Sequence, residues 1–215
     1  GCPPANSLVI ASIGGEAYSK KQWPFLATKA SAEAFAQNVS TWGTKYGFDG
    51  IDLDIEGTAG SASNGAQNIV YFAQKLRQLA PNFIITQPVY GYPQIDAEND
   101  MVNNAYTNSS GKWESNGLIQ SVGIMLYSNL NSLQYVKDYA DATDEWQGFP
   151  ITVDVPTCNI LPGIQGSASD SVIQQMVTSI QNEQLGGYMV WFASVFDKTN
   201  NVPAFNYGHN DASNS

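Results

Sequence analysis

Four acidic residues fall within eight positions of an otherwise apolar stretch, Asp49-Gly50-Ile51-Asp52-Leu53-Asp54-Ile55-Glu56. Residues two apart on a β-strand share a face, so Asp52, Asp54 and Glu56 point one way and Ile51, Leu53 and Ile55 the other. The three carboxyls then span about 13 Å at ~3.3 Å per residue. Carboxylates this close and partly buried cannot all stay ionised, so at least one keeps its proton to higher pH than usual. A carboxylic acid at the C-terminal end of a parallel strand sits where such folds keep their active sites, and there it suits a general acid. Two alternatives stay open from these residues alone. A divalent cation is one, although metal sites usually draw ligands from several segments. A solvated edge strand is the other, and it conflicts with the apolar pattern.

The elements that must position this octapeptide are short apolar strands alternating with helical periodicity. Strands are expected at 8–13, 48–55, 83–89, 121–127, 149–155 and 187–192, and helices at 31–46, 66–79, 131–142 and 169–181. Ser31 is the expected N-cap of the first helix, and Phe35, Val39, Trp42 and Tyr46 its apolar face. Pro88 has no N–H and is expected to end the ladder of the third strand. The Asn-rich stretch 96–117 has room for a short helix. Strand and helix in repeated order imply an α/β fold with parallel strands and right-handed crossovers, as an open doubly wound sheet or a closed β/α barrel. No shift in composition divides the chain, so 1–207 reads as one domain and 208–215 as a polar tail. Tyr18, Gln87, Tyr90, Tyr92 and Asp154 follow or end strands and are candidates to line a cleft.

Composition narrows the partners. The 215 residues suffice for one sizeable core, and 43 % apolar against 13 % charged content is that of a globular protein. A net charge of −10 and a pI near 4.3 argue against nucleic acid, whose phosphates require a basic surface. No run reaches the roughly 18 apolar residues of a membrane span. The two cysteines, Cys2 and Cys158, are a candidate disulfide in a secreted protein or two separate thiols. Two glycosylation triplets begin at Asn38 and Asn108, but such triplets arise often by chance and add little. The low Lys and Arg content, the abundant Ser, Asn, Gly and aromatics and the polar ends point to a secreted, extracellular protein.

The octapeptide resembles the D-G-x-D-x-D-x-E signature of the family 18 glycoside hydrolases, the chitinases and their relatives. Ser12-Ile13-Gly14-Gly15 is similar to that family's S-x-G-G motif, one β/α unit earlier. Met125-Leu126-Tyr127 resembles its M-x-Y strand, and Trp191 matches its last-strand tryptophan. The resemblance implies a TIM-type β/α barrel and retaining hydrolysis of β-1,4-linked N-acetylglucosamine polymers such as chitin, without a cofactor or metal. It implies substrate assistance, in which the sugar's own acetamide oxygen attacks the anomeric carbon, an exception to the usual pair of carboxylates. By motif position, Glu56 is the acid/base, Asp54 binds the acetamide N–H, Asp52 sets the charge state of Asp54, and Tyr127 aims the acetamide carbonyl. Trp191 would form an apolar floor beneath the sugar. Met125, Gln87, Tyr90, Gly14 and Gly15 complete the expected substrate contacts.

The chain departs from the family pattern in strand number. The S-x-G-G motif normally ends the third strand of eight, and here only seven residues precede that strand. A reduced or truncated barrel of six recognisable strands is therefore expected, with the first two family strands missing. A fragment, a tight six-unit closure or a partner chain, such as a homodimer, would account for it. Ser128 stands where many members have Asp or Asn. No insertion separates the Tyr127 strand from the last strand, which implies an open cleft and endo-type action. Two other functions stay in view: an endo-β-N-acetylglucosaminidase acting on N-glycans, and a non-catalytic, lectin-like oligosaccharide binder. The latter usually lacks the acid that this chain has at Glu56.

Overall fold

The computed structural model describes residues 8–18, 23–56, 64–90, 118–127, 134–141, 155–165 and 168–191. Six strands form one parallel sheet in chain order: β1 (Ile10–Gly14), β2 (Gly50–Asp54), β3 (Ile84–Tyr90), β4 (Ser121–Met125), β5 (Ile160–Gln165) and β6 (Met189–Trp191). Four helices alternate with them: α1 (Lys29–Tyr46) after β1, α2 (Gly65–Leu79) after β2, α3 (Gln134–Asp141) after β4 and α4 (Asp170–Asn182) after β5. The sheet curls, because Ile10 and Ser12 of β1 and Val190 and Trp191 of β6 line one cavity. This is the incomplete β/α barrel that the family resemblance implies, and not an open doubly wound sheet. Among the described residues β1 and β6 each pair on one side only. No helix among them is long and apolar enough to cross a membrane.

Alternation sorts the sheet into two faces. Ile51, Leu53 and Ile55 point outward into the helix layer and are at most 2 % exposed, alongside Ile85, Val122, Ile124 and the α2 residues Phe72 and Leu76. Burying each such side chain stabilises the fold by about 1.5–3 kcal/mol. The inward face carries a polar layer. Ser12, Asp52, Thr86 and Ser121 stand in register across four strands.

Helix α1 begins two residues before the expected start. Thr28 is its N-cap, and Ser31 is the third residue of a reciprocal capping box: each side chain accepts from the other's backbone N–H, at 3.1 and 3.0 Å. Its buried stripe is Ala32, Ala36, Val39 and Gly43, not the large aromatics. Small residues let the helix approach closely; a Cβ on Gly43 would fall 2.6 Å from the Phe83 ring. Phe35 lies half-buried at the flank, stacked on Phe25 at 4.2 Å, whereas Trp42 and Tyr46 are exposed.

Pro88 does not end β3, which runs on to Tyr90. Ile85 bonds Gln120 through both its N–H and its C=O, so its polar groups face β4. Ile84 gives its N–H to the Asp49 carbonyl on the β2 side. Alternation then turns Pro88 towards β2. Accordingly, β2–β3 pairing stops at Asp52 and Thr86, while β3–β4 pairing continues to Tyr90 and Met125. The proline ends one ladder of two.

Of the expected fifth strand at 149–155 only Val155 is among the described residues, and it is buried but in no strand; 149–154 lie outside them. The strand beside β4 is β5, which pairs Ile160–Pro162 with Val122–Ile124. Pro162 and Gly163 in its middle conceal it from propensity. The Asn-rich stretch, Asn108, the tail and Cys2 lie outside the described residues. Cys158 is exposed, with its thiol 3.4 Å from the Asn159 side-chain oxygen.

Candidate active site

The inward carboxyls of β2 differ in how they are held. Asp52 accepts the Ser12 hydroxyl at 3.0 Å and the Thr86 hydroxyl at 2.5 Å. Their register on the flanking strands puts both donors beside it. Burial raises its pKa, and the two hydroxyls pull the other way. Asp54 is raised further, to about 7, first by burial and then by the charges of Glu56 and Asp52. Among the described residues its Oδ1 is buried with no hydrogen-bond partner. A carboxyl in that condition either keeps a proton or awaits a donor.

Gly14 and Gly15 buttress the backbone of Asp54. The Gly15 N–H donates to the Asp54 carbonyl at 2.8 Å. Gly14 has φ +114°, and a Cβ there would lie 1.9 Å from that carbonyl oxygen. The pair is thus a close contact that only glycine permits, and it fixes the height of Asp54.

Two strands of this sheet finish alike. After β2, the Ile55 N–H bonds back to the Leu53 carbonyl at 3.0 Å, and after β4 the Leu126 N–H bonds back to Ile124 at 2.8 Å. Each tight closure is followed at once by a candidate catalytic residue, Glu56 and Tyr127. Tyr127 holds φ +53°, an uncommon conformation for a residue with a bulky side chain. Its ring centre lies 5.2 Å from that of Trp191. Burial, then the charges of Asp54, Glu56 and Asp52, raise its hydroxyl above the usual tyrosine range, so it is a neutral donor. Glu56 accepts the Tyr90 hydroxyl on Oε2 at 2.9 Å.

A cavity of about 410 Å³ lies over this face, lined among others by Asp52, Asp54, Thr86, Met125, Tyr127 and Trp191. Asp52, Asp54, Tyr127, Met125 and Trp191 of the expected set therefore meet. Tyr18 lines a neighbouring cavity of about 350 Å³ with Trp23, Phe25 and Phe35. Gln87 is corrected: it shares the outward face with Ile85 and Val89, is fully buried, and does not reach the cavity. Tyr92 and Asp154 lie outside the described residues. Ser12 and Thr86, which sequence reasoning did not assign as partners of Asp52, were findable only through strand register. Among the described residues no cluster of three or more His, Cys, Asp or Glu side chains is arranged to hold a metal.

Known proteins share these features. Residues 5–86 match the model of the glycosyl hydrolases family 18. An endo-beta-N-acetylglucosaminidase of Flavobacterium sp. (strain SK1022) is 41 % identical over 63 residues, which are 27 % of this chain and 20 % of that protein. The match thus spans about a fifth of that relative's length. A chitinase of Rhizomucor miehei superposes with a TM-score of 0.65 at 17 % identity, covering 89 % of this chain and 78 % of its own. A GH18 chitinase of Pseudoalteromonas aurantia gives 0.60 at 20 %, covering 87 % and 71 %. At such identities the structures speak for the fold. Over residues 5–86 the chain is thus similar to the glycosyl hydrolases family 18, and its curled parallel sheet is the fold of the chitinase structures it superposes on.

Proposed function

We propose that the chain carries the catalytic face of a retaining, substrate-assisted hydrolase of β-1,4-linked N-acetylglucosamine polymers, in the manner of a chitinase. The observation that carries this reading is the buried, unpartnered Oδ1 of Asp54, on a carboxyl raised to about 7 and next in line to Glu56. An acetamide N–H would supply the missing donor. The acetamide oxygen then attacks the anomeric carbon, the glycosidic C–O bond breaks, and Glu56 gives its proton to the leaving oxygen. Ionised Asp54 offsets the positive charge of the resulting oxazolinium. Water next attacks the anomeric carbon, Glu56 takes its proton, and the acetamide is restored. Tyr127 donates to the acetamide oxygen, and Trp191 offers a flat apolar face to the sugar.

A second reading, an endo-β-N-acetylglucosaminidase acting on N-glycans, has the Flavobacterium relative in its favour. Turnover of fluorogenic chitobiose and chitotriose by wild type and Glu56→Gln tests the first. Loss of a general acid costs about 10²–10⁴-fold. Equal turnover by the two proteins refutes the acid/base role. Release of glycans from a glycoprotein, with no turnover of the chitin oligomers, selects the second reading.

A further inference from the structure

We infer that Tyr90 is a positioning residue for Glu56, holding one oxygen of its carboxyl while the other handles the transferred proton. This deepens the reading of Glu56 as acid/base and rests on it. Glu56 lies beyond the last residue of β2, after the chain has turned back on itself at Ile55. The ladder to β3 has already stopped at Asp52 and Thr86. Strand pairing therefore does not aim the Glu56 side chain. The Tyr90 hydroxyl reaches it from the neighbouring strand, at 2.9 Å on Oε2.

Tyr90 is itself well anchored. It pairs with Met125 of β4, and its carbonyl accepts the hydroxyl of buried Tyr139 on α3 at 3.3 Å. A chain of contacts thus runs from the helix layer through β3 to the proposed acid. The chemistry follows from the direction of the bond. A phenol donating to a carboxyl binds more strongly as that carboxyl becomes an anion. Negative charge builds on Glu56 while its proton leaves, so the bond strengthens towards the transition state and favours kcat over KM. Among the described residues, Asp54 at the end of β2 and Tyr127 after β4 are the titratable groups whose electrostatics involve Glu56.

Two measurements on Tyr90→Phe and its partners test this. The first is kinetic. The variant should lose about 10- to 100-fold in kcat, as one hydrogen bond to a charged group predicts, with KM held within about twofold. The alkaline limb of its pH–rate profile should also move. A raised KM at unchanged kcat, or no change at all, overturns the proposal and makes Tyr90 a sugar contact or a bystander.

The second needs no turnover. With 3-fluorotyrosine incorporated, the Tyr90 fluorine signal, assigned by its loss in Tyr90→Phe, is followed from acid to neutral pH. A step in wild type that shrinks in Glu56→Gln is expected, whatever Asp54 contributes to both. An equal step in the two proteins, or none in wild type, overturns the contact. If Glu56→Gln hydrolyses substrate as fast as wild type, the acid/base reading fails by itself, and the fluorine titration still decides whether Tyr90 follows Glu56.

Discussion

Ile51 and Leu53 on the outer face of β2, with Ile55 just beyond it, are packed into the core, while Asp52 and Asp54, alternating with them on the inner face, remain partly open to a cavity. The outer residues need only apolar neighbours, and they have them. The inner carboxyls need donors, and the supply is uneven: Asp52 has two hydroxyls, whereas one oxygen of Asp54 has none. One strand thus separates the residues that hold the sheet to its helices from those left electrostatically unsatisfied. The cost of the second set is offset by the first, since apolar burial is available at every alternate residue.

Substitutions on either face put that division at risk. The largest effect is expected from Leu53→Ala, a fully buried truncation that should cost about 2–5 kcal/mol in denaturant unfolding. Its kcat and KM should stay near wild type at temperatures where it is folded. A loss of activity matching Glu56→Gln in the folded variant would show that the faces are not separable.

Asp54→Asn works in the opposite direction. The Asp54 carboxyl holds its proton to about 7 in the fold, against 3.8 for the unperturbed group. Between about pH 4 and 7 the folded state therefore binds more protons than the unfolded one, and its stability falls as pH rises, levelling off above. Asn removes that slope. The variant should melt with wild type near the acid end and above it at pH 8, while losing activity. A lower melting temperature at pH 8 would mean that the carboxylate is satisfied after all.

Ser12→Ala should have the smallest effect. It deletes one of the two donors to Asp52 and should cost about 0.5–1.5 kcal/mol, read by denaturation at neutral pH. No measurable loss would leave Thr86 as the donor that matters.

Much of this was legible in the amino-acid order. Parity alone placed Asp52 and Asp54 on one face and the isoleucines on the other, because strand alternation is strict. Parity could also have excluded Gln87, which shares the face of Ile85 and Val89. On α1, Val39 is buried and Phe35 half-buried as their spacing implies, whereas Trp42 and Tyr46 are exposed, because the closest contacts go through the small residues Ala32, Ala36 and Gly43. Strand β5 stayed hidden because Pro162 and Gly163 carry no strand preference, and only its neighbours make it one. The Tyr90–Glu56 bond links residues 34 apart in sequence and has no local signal.

Pro88 bears on any attempt to move this chemistry to another scaffold. A designer who copied only the octapeptide onto a parallel sheet would place it beside a strand with a full set of amides. The two strands would then zip together past Asp52, drawing Ile55 and Glu56 into the ladder. The graft must include a neighbour that withholds one N–H at the matching height. An imino acid on β3 is as much a part of the transferable unit as the acids on β2.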